Sequence, residues 1–422
     1  MRFLAEIPMS HDCIQCTLYS LPKRSAGGNI SAAPDNRVFV HRIFILALAA
    51  GFVGSTYLGL HLWLMRTGSM VPWSNYVEMR SLHAAVQLYL FFGLFAVGFI
   101  LQAAPTFLGI EPRCSKLAFA APLLIVLGVG VEIGSRVLGT ADSANGRFPG
   151  LVISGAGFAL VGLALANVLR RSQSSARAVS FGLPMVVGLM TTAASTLLDP
   201  ADPRTAVFVL WGGIGSFVFA AGQKFIEGSL GGSGLGRGTA YVFLGLHITT
   251  IFLLGAAALM PAQPQFFSLL LPPLALAVLT VFYFGTGLNR SIREIAFKPL
   301  AFALHTGFLW AVVGISGLGW PGTTDLVAHT WALGWFAPLV VAVSSQIIGH
   351  LSDRPLFRPQ TLIGLLILWQ AVPLGRGFGH TLPGLQWAVS FAISIVFIAW
   401  GFQMAARILA VERKLTKLPT VK

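Results

Sequence analysis

The side chains of this chain best suited to chemistry are its histidines. There are nine in 422 residues. Most fall inside long apolar stretches, where a polar group that cannot reach water is costly unless it is paired or ligating. A helical rise of about 1.5 Å per residue puts His41 roughly 30 Å from His61, and His329 as far from His350, so neither pair can share one metal ion. Ordered by depth in the segments defined below, His61, His83 and His329 lie within one or two turns of the same membrane face, with His380 in a loop on that side. His247 and His305 lie about two turns from the opposite face, and His41 and His350 lie at that interface.

Two imidazoles at equal depth on different helices are what axial ligation of a haem requires, because a flat macrocycle stands between helices and takes one nitrogen on each face. His83 and His329 meet that requirement. Arg80, three residues before His83, and Arg376, near His380, share their level and carry the charge that haem propionates need. The competing reading is that histidine at a membrane interface needs no ligand at all.

Other polar residues in apolar surroundings are few. Glu132 and Arg136 stand four apart, the spacing at which carboxylate and guanidinium meet on one helical face; the pair is read first as structural and second as a proton relay through Glu132. Gln87 follows His83 by four and shares its face, either as a group that orients the imidazole or as a bond between helices. The run His11-Asp12-Cys13-Ile14-Gln15-Cys16, with Cys114 as the remaining cysteine, offers a single CxxC, a weak metal signal. The glycine-rich stretch 231–238 lacks the preceding strand that a phosphate cradle needs, and reads as a flexible connection between two halves of the chain.

These residues need elements to hold them, and composition says which. With 55% hydrophobic and 10% charged residues and a mean hydropathy of +0.78, the chain is too apolar for water as its solvent. Segments of about 20 apolar residues cross the hydrocarbon core as helix. Twelve such segments are expected, at 39–65, 81–104, 117–137, 150–169, 179–198, 205–225, 241–260, 266–287, 300–318, 326–348, 360–374 and 385–406. The eleventh is short and ends near Pro373. Placed on alternate sides, 22 of the 28 Lys and Arg residues fall on the side of the N-terminus and six on the other. Basic residues concentrate in cytoplasmic loops, so both termini are expected in the cytoplasm and the chain in the inner membrane. The net charge of +14 is spread over short loops rather than along one face, so no nucleic-acid surface is expected. Residues 1–38 read as a cytoplasmic tail without a cleavable signal peptide, 39–408 as an all-α membrane domain, and 409–422 as a basic tail.

Two blocks then resemble a known family. From His83 the second segment leads into Gly98-Phe-Ile-Leu-Gln-Ala-Ala-Pro-Thr-Phe-Leu-Gly109, similar to the Gly-Phe-Leu-Leu-Thr-Ala-x-Pro-Asn-Trp-Thr-Gly run of the NnrS family. The tenth, Ala328-His329-Thr330-Trp331-Ala332-Leu333-Gly334 through Gly349-His350 to Arg354-Pro355-Leu356, is similar to that family's other block, and Gly134-Ser135-Arg136 to its Gly-Arg element. The resemblance implies a twelve-helix membrane protein containing haem b and copper, in a fold like the core subunit of haem-copper oxidases, acting in nitric oxide metabolism and nitrosative stress. It marks His83, His329 and His350 as ligands and Arg136 as a buried cation, and leaves His247 with His305 as the remaining pair for copper. Where the family shows His-x-His-Glu-Met, this chain has His83-Ala84-Ala85-Val86-Gln87. The alternatives are a twelve-helix transporter in two halves, which needs a polar cavity at mid-membrane, and a scaffold that keeps the fold without a cofactor.

Overall fold

A computed structural model describes residues 34–66, 76–108, 116–138, 149–171, 177–260, 264–320, 322–351, 355–378 and 383–416. Among these there is no strand. The apolar runs form long helical rods: α1 (34–66), α2 (76–108), α3 (Lys116–Val137), α4 (Pro149–Leu169), α5 (Ala178–Ser195), α6 (Pro203–Ser229), α7 (Arg237–Leu259), α8 (Pro264–Gly285), α9 (Pro299–Leu318), α10 (324–351), α11 (Pro359–Phe378) and α12 (Pro383–Thr416). Nine of them, α1, α2 and α4 to α10, are long and apolar enough to cross a membrane.

The element ends differ from the sequence expectation in two instructive places. Helix α11 runs through Pro373 to Phe378. Proline removes one backbone hydrogen bond, and inside a bundle neighbouring groups make up for it, so it need not stop the helix. Helix α12 continues to Thr416, past the expected end of the twelfth segment at 406 and into the basic tail. The Cys13–Cys16 motif, Cys114 and His380 lie outside the described residues.

Small residues set the closest helix packing. A Cβ on Gly157 of α4 would fall 2.7 Å from the Ala121 carbonyl oxygen of α3, and Ser154 Oγ donates across the same seam to the Ile125 carbonyl at 2.9 Å. The centre of the bundle is aromatic. Trp211 of α6 meets Trp331 and Trp335 of α10 with ring centroids 5.1 and 5.8 Å apart, and Phe219 packs on Trp335 at 5.6 Å. Large rings bury much apolar area at such spacings.

Five rods contain π-helical stretches: Phe52–Leu58 in α1, Val86–Phe92 in α2, Ala178–Gly182 in α5, Val209–Gly215 in α6 and Thr330–Phe336 in α10. A π-turn widens the helix and re-aims its carbonyls, and such turns are common at functional sites. The stretch 231–238 is a structured turn rather than a loose linker. Gly231 and Gly234 take φ of +68° and +67°, which glycine alone adopts without strain. Ser233 N donates to the Thr286 carbonyl at the end of α8 at 3.2 Å.

Candidate functional site

His83 and His329 each follow a short helical lead-in and immediately precede or closely approach a π-stretch. His83 sits in Tyr76–Ala85, just before the π-stretch of α2. Its Nδ1 lies 2.9 Å from the Gly54 carbonyl oxygen, within the π-stretch of α1. A carbonyl only accepts, so Nδ1 carries the proton and Nε2 keeps its lone pair. Gly54 and Gly59, one π-turn apart, border the ring. A Cβ on Gly59 would stand 3.6 Å from His83 Cε1, and one on Gly54 would lie 2.6 Å from Gln87 Nε2.

His329 repeats the arrangement on α10. Its Nδ1 donates to the Asp325 carbonyl one turn earlier at 2.7 Å, so its Nε2 also keeps the lone pair. The Asp325 carboxylate gathers both expected cations: Arg80 Nη2 of α2 donates to Oδ1 at 3.0 Å, and Arg376 Nη2 of α11 to Oδ2 at 3.2 Å. His329 lies within electrostatic reach of His83, Arg376 and Asp325. The structure thus brings His83, His329, Arg80 and Arg376 together, and adds Asp325, Gly54 and Ser55, which sequence reasoning missed. Asp325 had a visible signal, its i−4 spacing to His329. A backbone carbonyl such as that of Gly54 has none.

The remaining candidates fall elsewhere. Gln87 donates from Nε2 to Ser55 Oγ at 2.6 Å, so it joins α2 to α1 while the Gly54 carbonyl orients His83. His61 is buried and packs on Tyr57 of its own helix at 6.1 Å. Arg136 Nε donates to Glu132 Oε1 at 2.7 Å, with side-chain exposures of 4% and 1%, as the i, i+4 spacing predicts. His247 is wholly buried, 2.8 Å from Ser216 Oγ and stacked on Phe243 at 5.5 Å. His305 accepts from the Tyr283 hydroxyl at Nδ1 (3.0 Å) and pairs at Nε2 with Ser291 Oγ (3.1 Å). The His350 side chain lies outside the described residues.

Haem and copper fare differently against this geometry. A histidine that ligates a metal donates its other ring N–H to a carbonyl or carboxylate. Both His83 and His329 do so, and among the described residues nothing hydrogen-bonds either Nε2. Helices α2 and α10 meet through side chains, Arg80 on Asp325 and Phe92 edge-on to Phe336 at 6.4 Å, rather than through close backbone packing. The donor set of the two rings therefore suits metal ligation through Nε2. Of the pair left for copper, both nitrogens of His305 are engaged, and among the described residues no group of three or more His, Cys, Asp or Glu side chains converges.

Fold and site together define a polytopic, all-helical membrane protein with two oriented histidines on neighbouring rods. Within that class the chain belongs to the NnrS family, whose model, described as NnrS protein, matches residues 39–416. No curated protein matches the chain significantly.

Proposed function

We propose that this NnrS-family protein is a twelve-span inner-membrane haem protein, with both ends in the cytoplasm, acting in nitric oxide metabolism and the nitrosative-stress response. One observation carries the reading: His83 and His329 both commit Nδ1 to backbone carbonyls and so present Nε2 as a lone-pair donor. Haem b bound there supplies a one-electron redox centre.

The chain's own residues do the rest. Gly54 and Asp325 fix the two ring orientations through their carbonyls. Arg80 and Arg376 each spend one N–H on Asp325, and a guanidinium has five, so both retain donors for propionates. Helices α3, α11 and α12 complete the twelve spans that the loop charges require. A transporter would need polar groups free to meet a substrate at the centre of the bundle, where this chain has Trp211, Trp331, Trp335 and Phe219, with His247 held by Ser216 among them. The part in nitric oxide handling is taken from the family resemblance.

The test is the absorption spectrum of protein purified in detergent after expression with ample haem. A Soret band with low-spin character is expected, lost in His83→Ala and in His329→Ala. No Soret band from the wild-type protein would end the proposal.

A further inference from the structure

Helix α11 grips α10 on both sides of His329. Four residues before it, Asp325 Oδ2 accepts from Arg376 Nη2 at 3.2 Å. Four residues after it, the Leu333 carbonyl accepts from Trp369 Nε1 at 2.9 Å. Arg376 and Trp369 stand seven apart, two turns of one helix, so they share a face. Trp369 is buried, unlike an interfacial tryptophan whose N–H reaches headgroups or water.

The Leu333 carbonyl is left without a backbone donor of either register. In an α-helix it would accept from Ala337, four residues on, but the Ala337 N–H goes to the Ala332 carbonyl five back, the bond that closes the π-stretch Thr330–Phe336. In π-helical register its donor would be residue 338. That residue is Pro338, which has no N–H. Away from water such a carbonyl is costly to bury unless a side chain from elsewhere satisfies it. Trp369 supplies the donor. The other histidine shows the same device, since the Gly54 carbonyl lies in a π-stretch and pairs with a side chain of the next helix.

The indole N–H therefore favours the widened turn over its α-helical alternative. If Ala337 returned to Leu333, the stretch would tighten, and the segments on either side would turn against each other by about 100°, the angle per residue of a helix. Leu339, Val341 and Ile348 bury the segment that follows. The lead-in Thr324–His329 would then lose its present direction. We propose that Trp369 is a positioning residue for His329: by donating to the carbonyl that Pro338 leaves without an amide, it fixes the turn that sets where the imidazole faces. This role rests on the reading of His329 as a haem ligand.

Trp369→Phe in the full-length protein keeps a ring at this position and removes the N–H. Soret absorbance per protein should fall about tenfold or more, the order expected when a metal ligand loses its orienting support, and the haem that stays should be high-spin by electron paramagnetic resonance. Trp310→Phe is the control. It also removes an indole donor between α9 and α11, to Gln370 Oε1 at 2.6 Å, but leaves Leu333 capped, so both readouts should match the wild type. Spin labels on Val77→Cys and Leu326→Cys, exposed positions on the lead-ins of α2 and α10, read the same turn without haem in a chain whose native cysteines are replaced. Their separation should shift by several ångström in Trp369→Phe and stay constant in Trp310→Phe. Should Trp369→Phe fail to fold, benzothienylalanine at 369, with the shape of tryptophan and no N–H, takes its place in both measurements. An unchanged separation, or a wild-type spin state in haem-loaded Trp369→Phe, would overturn the inference. Absence of a Soret band from the wild type would instead end the haem reading, and the separations would then decide the part of Trp369 alone.

Discussion

The 2.9 Å bond from His83 Nδ1 to the Gly54 carbonyl oxygen ties the orientation of a candidate ligand on α2 to a π-stretch of α1. The widened turn presents the carbonyl sideways, and the lack of a side chain at Gly54 lets α2 come close enough to use it. Gln87 reinforces the contact one turn along by donating to Ser55. The ring is therefore set by backbone from another helix rather than by a neighbouring acidic side chain.

Gly54→Val should accordingly displace His83 without unfolding the bundle. A Cβ at this position meets Gln87 Nε2 at 2.6 Å and Val86 Cγ1 at 3.1 Å, so Gln87 must leave Ser55 and the α2 face beside His83 must give way to the valine branches. Loss of a partner that orients a metal ligand typically costs 10–100-fold in affinity, and haem retention should fall by that order while helix content stays constant. Gly130→Ala, where an added Cβ meets nothing within 4 Å, is the control. Equal Soret absorbance per protein in Gly54→Val and wild type would show that the carbonyl does not position a ligand.

Asp325 is expected to act through charge more than through stability. Its pairs with Arg80 and Arg376 are partly exposed, with side-chain exposures of 42%, 33% and 26%, and such pairs contribute about 0.2–1 kcal/mol each. Asp325→Asn should lower the melting temperature only slightly. Removing one negative charge beside the histidines disfavours the oxidised, more positive haem, so the midpoint potential should rise. Asp325→Glu should restore much of it. A potential unchanged in Asp325→Asn would place the carboxylate away from the cofactor.

What could be read from the sequence follows from the physics of each feature. Helix positions were legible because a span needs an unbroken apolar run, and α4 and α9 fall within a residue or two of 150–169 and 300–318. The common level expected for His83 and His329 rests on the same counting of residues. Pro373 misled because a proline rule from aqueous helices does not hold inside a bundle. The π-stretches left no mark, since Phe52–Leu58 and Thr330–Phe336 are composed like any apolar helix. Without them the Gly54 carbonyl could not be foreseen as a partner of His83.

His305 yields a prediction about what is not bound. Its Nε2 faces Ser291 Oγ, whose hydroxyl donates to the Leu288 carbonyl, so the imidazole donates at Nε2 and accepts from Tyr283 at Nδ1. Both nitrogens serve to fasten the 288–294 turn against α8 and α9. Tyr283→Phe removes one such bond and should cost about 1 kcal/mol of stability with the Soret band unchanged. Metal analysis of wild type and His305→Ala should give the same copper content, below one per chain. Stoichiometric copper that disappears in His305→Ala would show that the imidazole ligates metal instead.

The Glu132–Arg136 pair allows a sharper thermodynamic test because it is so deeply buried. A Cβ on Gly150 of α4 would fall 2.5 Å from the Glu132 nitrogen, so the pair sits where α3 and α4 are in tight contact and neither charge can swing out to water. Removing one member strands the other, which for a buried pair costs about 3–5 kcal/mol, whereas replacing both with uncharged residues of similar size is often nearly neutral. Arg136→Met should therefore lower the melting temperature far more than the double variant Glu132→Gln, Arg136→Met. The coupling from the full cycle should exceed 1 kcal/mol, within the range seen for residues in contact. Additive single effects would mean that the two charges do not stabilise each other, and the structural role assigned to the pair would fall.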